Sequence, residues 1–253
     1  MKPLAIDLYC GLGGWTRGLL AKRWDVIGFD IKRHCYGDDR YPAQLVIQDV
    51  RTLHGSQFRE AALIVASPPC QEFSYMAMPW SKAKAKRAEI LADESGESRR
   101  RLTALFDACF RIQREACEAA GHHIPMVVEN VRGAQEWVGR SRFNFGSYHL
   151  WGDVPALMPI TSAGIKAPGM DWSNPAKRGQ DFTRLAGRHA EAAEGRKGAG
   201  AGAEWWQKNS RSSSRSDIRK QWSASVAKIP LPLALHIAEV FKPRFHVAQE
   251  FTQ

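Results

Sequence analysis

The chain has 253 residues, 44% of them hydrophobic and 25% charged, enough to bury the core of one α/β domain with an elaboration. A formal charge of +10 and a pI near 9.6 suit a polyanionic partner, because lysines and arginines that neutralise phosphates release counterions, although solvated surface charge gives the same total. A wholly disordered chain and a membrane span are excluded, since the longest apolar runs, residues 61–66 and 229–238, are short and broken.

Residues 4–9 read as a short apolar strand, 15–21 as a helix and 24–29 as a second strand, a βαβ beginning. Between strand and helix lies Asp7-Leu-Tyr-Cys-Gly-Leu-Gly-Gly14, a glycine-rich turn whose backbone can bend sharply and approach a ligand closely. Asp30 follows the second strand, and Asp49 closes a third, after Val46-Ile47-Gln48. Residues 62–66 form a buried strand that leads into Ser67-Pro-Pro-Cys-Gln-Glu-Phe-Ser74. Residues 75–101 carry Lys82, Lys84, Lys86 and Arg87 without clean periodicity and read as a mobile basic loop. Residues 102–119 are an amphipathic helix with Leu105, Ala108, Cys109, Ile112 and Ala116 on one face. Residues 126–128 are a further strand, directly before Glu129-Asn-Val131. From 151 to 222 the composition turns to Gly, Ala, Ser, Pro and charge, an irregular insert, and residues 229–241 return as a Pro-started helix with Leu233, Ile237 and Val240 facing the core. The expected organisation is residues 1–150 as a catalytic and cofactor domain, 151–222 as a small recognition region and 223–253 as a closing segment.

Strands alternating with helices imply a Rossmann-like α/β fold, with a mostly parallel sheet flanked by helices. The five cysteines, Cys10, Cys35, Cys70, Cys109 and Cys117, include no C-x-x-C pair, which argues against a disulfide framework and against a zinc site. Cys109 and Cys117, eight residues apart on one helical face, read as small core residues. The N-terminal residues lack the long apolar region of a secretory signal, so a cytoplasmic location is expected.

A glycine-rich turn alone is weak evidence, because a simple tight turn uses the same residues. Here the spacing is Gly-x-Gly-Gly, without the third glycine of a dinucleotide site, and Trp15 or Arg17 would crowd a pyrophosphate. An adenosyl cofactor without phosphates fits better than NAD. Asp30 is placed for ribose hydroxyls and Asp49 for an adenine amino group. The proline pair before Cys70 fixes two φ angles and withholds two backbone donors, presenting the thiol from a stiff loop at a strand's carboxyl end. A buried thiol capping a strand is the plainer reading of Pro-Pro-Cys in isolation. Gln71 and Ser74 beside it could orient a substrate, and Glu129 either caps a loop or faces the same cleft.

Together these stretches closely resemble the DNA cytosine-C5 methyltransferase family, over roughly the first 150 residues and the closing helix. The matching pieces, in the family's order, are the Asp7 to Gly14 turn with Gly18-Leu19, Asp30, Asp49, Ser67 to Ser74, and Glu129-Asn-Val131. The resemblance implies S-adenosylmethionine as cofactor, held by Asp7, Tyr9, Cys10, Gly11, Leu12, Gly13, Gly14, Trp15, Asp30, Ile31, Asp49, Val50 and Pro68. It further implies Cys70 as the thiolate that adds to cytosine C6, Glu129 as the group bonding N3 and the amino group, and Pro69, Gln71, Ser74 and Asn130 around the base. The family's Gln-x-Arg-x-Arg strand has its nearest match in Arg140-Ser-Arg142 with the glutamine displaced to Gln135, and these arginines join the implied catalytic set. The closing Gly-Asn-Ser-Val element stands here as Ala224-Ser-Val, without its asparagine, leaving Ser225 and Val226 to line the cofactor pocket.

The implied partner is double-stranded DNA, with a flipped target base beneath the basic loop, no metal and no membrane. Arg178, Arg184, Arg188, Lys208, Arg211 and Arg215 beside Trp172, Trp205 and Trp206 give the insert the chemistry of a recognition region, and its small size fits a compact, phage-type enzyme of short specificity. Three alternatives stay open: a transfer-RNA methyltransferase of the same family, a nucleic-acid-binding relic of the fold, and a nicotinamide dehydrogenase, the last disfavoured by the glycine spacing.

Overall fold

A computed structural model describes residues 2–36, 38–73, 80–158 and 228–243. In chain order, β1 (Leu4–Leu8) turns into α1 (Gly14–Ala21) and β2 (Asp25–Asp30), followed by a small hairpin of β3 (Cys35–Tyr36) and β4 (Asp39–Arg40). Then come β5 (Gln44–Ile47), two 3-10 turns at Val50–Thr52 and Gly55–Phe58, β6 (Leu63–Ala66), α2 (Trp80–Ala92) and α3 (Glu97–Ala120). The chain continues through β7 (Met126–Asn130), the single turn α4 (Gln135–Val138), β8 (Phe143–Phe145), β9 (Tyr148–Gly152) and α5 (Leu231–Val240).

Seven strands form one sheet in the order β5-β2-β1-β6-β7-β9-β8. The first five are mutually parallel, β9 runs antiparallel to β7, and β8 pairs antiparallel with β9. The chain leaves β1 toward β2 and β5, then crosses to the other side of β1 to form β6. That reversal opens a crevice outside the carboxyl ends of β1 and β6, the place where open α/β sheets bind ligands.

The strands are apolar on both faces, as a sheet covered on both sides requires. One face carries Ala5, Val65 and Val127 against Leu19 of α1 and Leu233 and Ile237 of α5. The other carries Ile6, Ile64 and Val128 against Phe106, Cys109 and Ile112 of α3. The helices α1 and α5 touch at backbone distance. A Cβ on Gly18 would stand 2.5 Å from Ala234 carbons, and one on Gly14 would stand 2.4 Å from the Ile229 nitrogen. Gly18 thus performs a close-packing task, but against the closing helix.

The segment expected to be a mobile loop is corrected in part. Residues 80–92 are helical, and α3 starts at Glu97, five residues before the periodic stretch. Ala, Lys, Arg, Glu and Leu dominate α2, all strong helix formers, and its polar residues run nearly all round, so no apolar period betrays it. β8 and β9 also escape sequence reading, because a three-residue strand before a Gly146-Ser147 turn gives too short an alternation. Cys109 is fully buried as expected, whereas Cys117 is only half-buried. No helix among the described residues is long and apolar enough to cross a membrane.

Candidate active site

Three loops meet at the crevice, and hydrogen bonds tie them together. Trp15, buried at the start of α1, donates its indole N–H to Ser67 Oγ at 3.0 Å, joining the glycine turn to the loop after β6. The Ser67 N–H donates to the Leu8 carbonyl at 3.1 Å. Asn130, buried at the end of β7, donates from Nδ2 to the Pro68 carbonyl at 3.0 Å and accepts the Val131 N–H at 2.8 Å. Since Ala66 pairs with Val128, Glu129 and Asn130 stand level with the first residues of the Cys70 loop. Cys70 is half-buried and its carbonyl accepts the Phe73 N–H at 3.0 Å, so the loop closes in a tight turn. Pro68 is buried, whereas Pro69 and Gln71 are exposed.

Glu129 is buried. It pairs across the strands with Leu150, which places it on the face shared with Val127 and Tyr148. Burial, aided by the Glu129 charge, pushes the Tyr148 phenol up. The Tyr148 hydroxyl donates to the Lys228 carbonyl at 3.1 Å, so the closing segment rests on the strand that lies beside Glu129. Neither Tyr148 nor this contact stood out in the sequence, because β9 itself was not recognised there.

On the other side of β1, Tyr9 holds a positive φ of 56°, unusual for a residue with a Cβ, and its hydroxyl donates to the Leu105 carbonyl of α3 at 2.8 Å. Gly11 has φ of 49°, and a Cβ on it would meet no atom of the described residues within 4 Å apart from its chain neighbours. Its N–H donates to Asp30 Oδ2 at 3.0 Å. Asp30 Oδ1 accepts the Lys32 N–H at 3.3 Å and faces His34 Nε2 at 3.4 Å. Burial pulls the Asp30 pKa up, but these donors outweigh it and hold the carboxylate below its ordinary range. Ile31, the following residue, is 65% exposed at the strand's end. Asp49 caps the 3-10 turn at Val50–Thr52 and pairs with Arg51, which lowers its pKa, while Val50 is buried. It lies two residues beyond β5 and does not itself end the strand.

Tyr9, Gly11, Ile31 and Asp49 therefore present surface toward solvent, whereas Cys10, Leu12, Gly13, Gly14 and Trp15 are buried beneath them. Asp7 is also buried, 1% exposed. Its Oδ2 accepts the Thr16 hydroxyl at 2.6 Å, Thr16 Oγ1 lies 2.7 Å from the Tyr41 hydroxyl, and Oδ1 has no hydrogen-bond partner among the described residues. Tyr41 fits there because its ring lies over Gly28, whose missing Cβ would otherwise collide with it. Burial raises the Asp7 pKa from 3.8 to about 7, partly offset by Thr16 and reinforced by Asp30. Thr16 and Tyr41 carry no motif by which sequence reading could have found them.

Arg140 and Arg142 are exposed and lie just before β8, not within a strand, with the Arg142 N–H donating to the Leu150 carbonyl at 2.8 Å. The displaced Gln135 accepts from the Ser141 N–H at 3.2 Å, holding this approach to β8. Ser74, Ser225 and Val226 lie outside the described residues, as does the insert from residue 159 on, with Arg178 to Arg215, whereas its first residues, Trp151 and Gly152, complete β9. Among the described residues no group of three His, Cys, Asp or Glu side chains is placed to share a metal ion.

The sheet order, the crevice and the glycine turn make this a Rossmann-like α/β fold with a mostly parallel sheet flanked by helices. Over residues 4–94 the chain matches the family described as C-5 cytosine-specific DNA methylase, so the resemblance read from the Asp7 and Cys70 motifs holds over the segment that contains both. Similar solved structures include a protein described as a DNA modification methyltransferase encoded within a prophage (E. coli), at 22% identity over 53% of this chain and 33% of that one, with a TM-score of 0.34. The S. pombe Dnmt2 methyltransferase is 17% identical over 55% of this chain and 37% of its own, with a TM-score of 0.34. The Entamoeba histolytica methyltransferase EhMeth is 14% identical over 55% and 41%, with a TM-score of 0.33. The first of these is matched over only a third of its own length. No curated protein matches the chain.

Proposed function

We propose that this protein is a DNA cytosine-C5 methyltransferase that uses S-adenosylmethionine and acts on a cytosine flipped out of duplex DNA. The observation that carries this reading is the meeting of two strand ends. Cys70 stands on the stiff loop after β6, Glu129 stands at the end of β7, and Asn130 ties them through the Pro68 carbonyl.

Cytosine C5 is a poor nucleophile until an electron pair is added at C6. The Cys70 thiolate adds there, and Glu129 bonds N3 and the amino group so that the ring accepts a proton as the thiolate attacks. Burial of Glu129 strengthens that bond, because water does not compete with it. The addition at C6 leaves an electron pair on C5 that would form the new C5–methyl bond as the methyl–sulfur bond breaks; the methylated adduct then loses the C5 proton and expels the Cys70 thiolate, which restores the aromatic ring. Both faces of a stacked base are covered, so the base must leave the helix, at a cost of a few kcal/mol.

The crevice suits an adenosyl cofactor. Open space in front of Gly11 accepts the ligand where a Cβ would intrude, Asp30 is held by backbone donors for the ribose hydroxyls, and Ile31 with Tyr9 offers apolar surface to a purine whose amino group Asp49 can accept. When bound, S-adenosylmethionine supplies an electrophilic methyl group on a sulfonium.

The test is incubation with methyl-labelled S-adenosylmethionine and mixed-sequence duplex DNA containing 5-fluorocytosine, followed by denaturing electrophoresis and peptide mapping. Fluorine at C5 cannot leave as a proton does, so a covalent complex mapped to Cys70 is expected. A complex with RNA but not DNA would move the substrate to RNA, and a complex with neither would overturn the reading.

A further inference from the structure

On the opposite side of the molecule from Cys70, three side chains from three different elements align. Cys117 lies in the last turn of α3, His123 in the turn after it, and Asp153 just past β9. Cys117 Sγ is 4.0 Å from His123 Nδ1, and His123 Nε2 is 3.1 Å from Asp153 Oδ2. The same Asp153 oxygen accepts Gln113 Nε2 at 2.8 Å and the Met126 N–H at 2.9 Å, which fixes the carboxylate before His123 reaches it. By accepting the hydrogen bond of Nε2–H, Asp153 sets the imidazole tautomer and turns the Nδ1 lone pair toward the sulfur. Sγ also accepts the Ile124 N–H at 3.2 Å and lies 3.8 Å from the Ile124 carbonyl, so backbone contacts hold the sulfur in place beside the imidazole. The thiol is half-buried and the imidazole largely exposed, so a small reagent can approach.

We infer that Cys117, His123 and Asp153 form a thiol-exchange site at which Cys117 is modified by low-molecular-weight disulfides. His123 Nδ1 takes the Sγ proton, and the thiolate forms a new S–S bond to one sulfur of the reagent while the reagent's own S–S bond breaks. The departing thiolate takes the proton back from the imidazolium. Cys117 is oxidised to a mixed disulfide and half of the reagent is reduced to a thiol, so no other oxidant is needed. The site uses no group of the crevice and stands whether or not the methyl-transfer reading holds.

The experiment treats the full chain with limiting 5,5′-dithiobis(2-nitrobenzoic acid) and follows each cysteine by peptide mapping, with exposed Cys35 as the internal standard. Removing the base lowers the thiolate fraction and partly raises intrinsic nucleophilicity, so His123→Ala should slow Cys117 relative to Cys35 by about threefold or more. His123→Gln, which retains a polar side chain at this exposed position, should slow it equally. A smaller drop in both variants overturns the inference, as does a parent protein in which Cys35 reacts to completion while Cys117 stays unmodified.

Discussion

The carboxyl ends of the parallel strands and the faces of the same sheet are made of opposite materials. Asp7 is the second-last residue of β1, Asp30 the last of β2, and Glu129 and Asn130 the last two of β7, and all four are buried. The faces between the helices are lined by Ala5, Ile6, Leu63, Ile64, Val127 and Val128, with no buried charge among them. Burying a carboxyl group costs several kcal/mol unless partners repay it, so a fold shaped only by stability would not collect such groups at one edge. The contrast teaches that the faces hold the molecule together, whereas the buried polar strand ends are a local breach of packing rules of the kind expected at a functional site.

That division is broken most severely by a group at the edge. Cys70→Ser should lower methyl transfer by on the order of a thousandfold or more, because the oxygen nucleophile cannot replace the thiolate, while the denaturation midpoint and cofactor affinity stay near those of the parent. Glu129→Gln should cost on the order of a hundredfold by losing the proton it supplies at N3. Both are read by labelled methyl incorporation beside a denaturation curve. Normal transfer by Cys70→Ser would show that the edge chemistry lies elsewhere.

How much of this was legible in the sequence follows the same division. The strand starts and the αβ alternation are readable because buried parallel strands are continuous apolar runs, and the Asp7 and Cys70 motifs are readable because both lie in the segment that matches the family. What escapes is whatever depends on tertiary placement. Thr16 and Tyr41 around Asp7 come from two elements and matter only because Gly28 leaves room for a ring. Tyr148 gains meaning only from the register that sets Leu150 opposite Glu129. α2 hides behind a polar composition, and the turn residues Cys10 to Trp15, read as one cofactor-holding run, divide in the fold into a half-buried Gly11 and buried packing groups.

A second break tests what the edge costs in stability. Burial raises the Asp7 pKa from 3.8 to about 7, so its contribution is fully present below 3.8 and is lost as pH rises through about 7. At about 1.4 kcal/mol per pH unit, the loss across that window is on the order of 4 kcal/mol. Asp7→Asn keeps an acceptor for Thr16 and removes the titration. Denaturation midpoints taken on either side of the window should fall with pH in the parent and stay flat in the variant, and parallel curves would show that Asp7 does not titrate there.

The faces are tested by Gly18→Ala. Alanine is the better helix former by about 1 kcal/mol, but its Cβ would stand 2.5 Å from Ala234 backbone and side-chain carbons, and such overpacking costs about 1–3 kcal/mol. Because the obstacle includes backbone, no rotamer change relieves it, and the collision should win by up to about 2 kcal/mol. A denaturation midpoint unchanged or raised would mean that α5 shifts away from α1 at little cost, and that the apolar face is less tightly built than its strands suggest.

The smallest effect is expected at the rim, where α2 touches the edge without being part of it. Lys86 pairs with Glu72 of the Cys70 loop, and Arg87 pairs with Glu136 in α4. The Arg87 side chain is 50% exposed, and solvent screening of such a pair leaves about 0–1 kcal/mol of coupling. A double-mutant cycle of Arg87→Ala with Glu136→Ala, read by chemical denaturation, should therefore return a coupling inside that range, declining with salt. A coupling well above it and insensitive to salt would mean that the pair is shielded from water, so that the costly polar edge extends beyond the strand ends and α2 belongs to it.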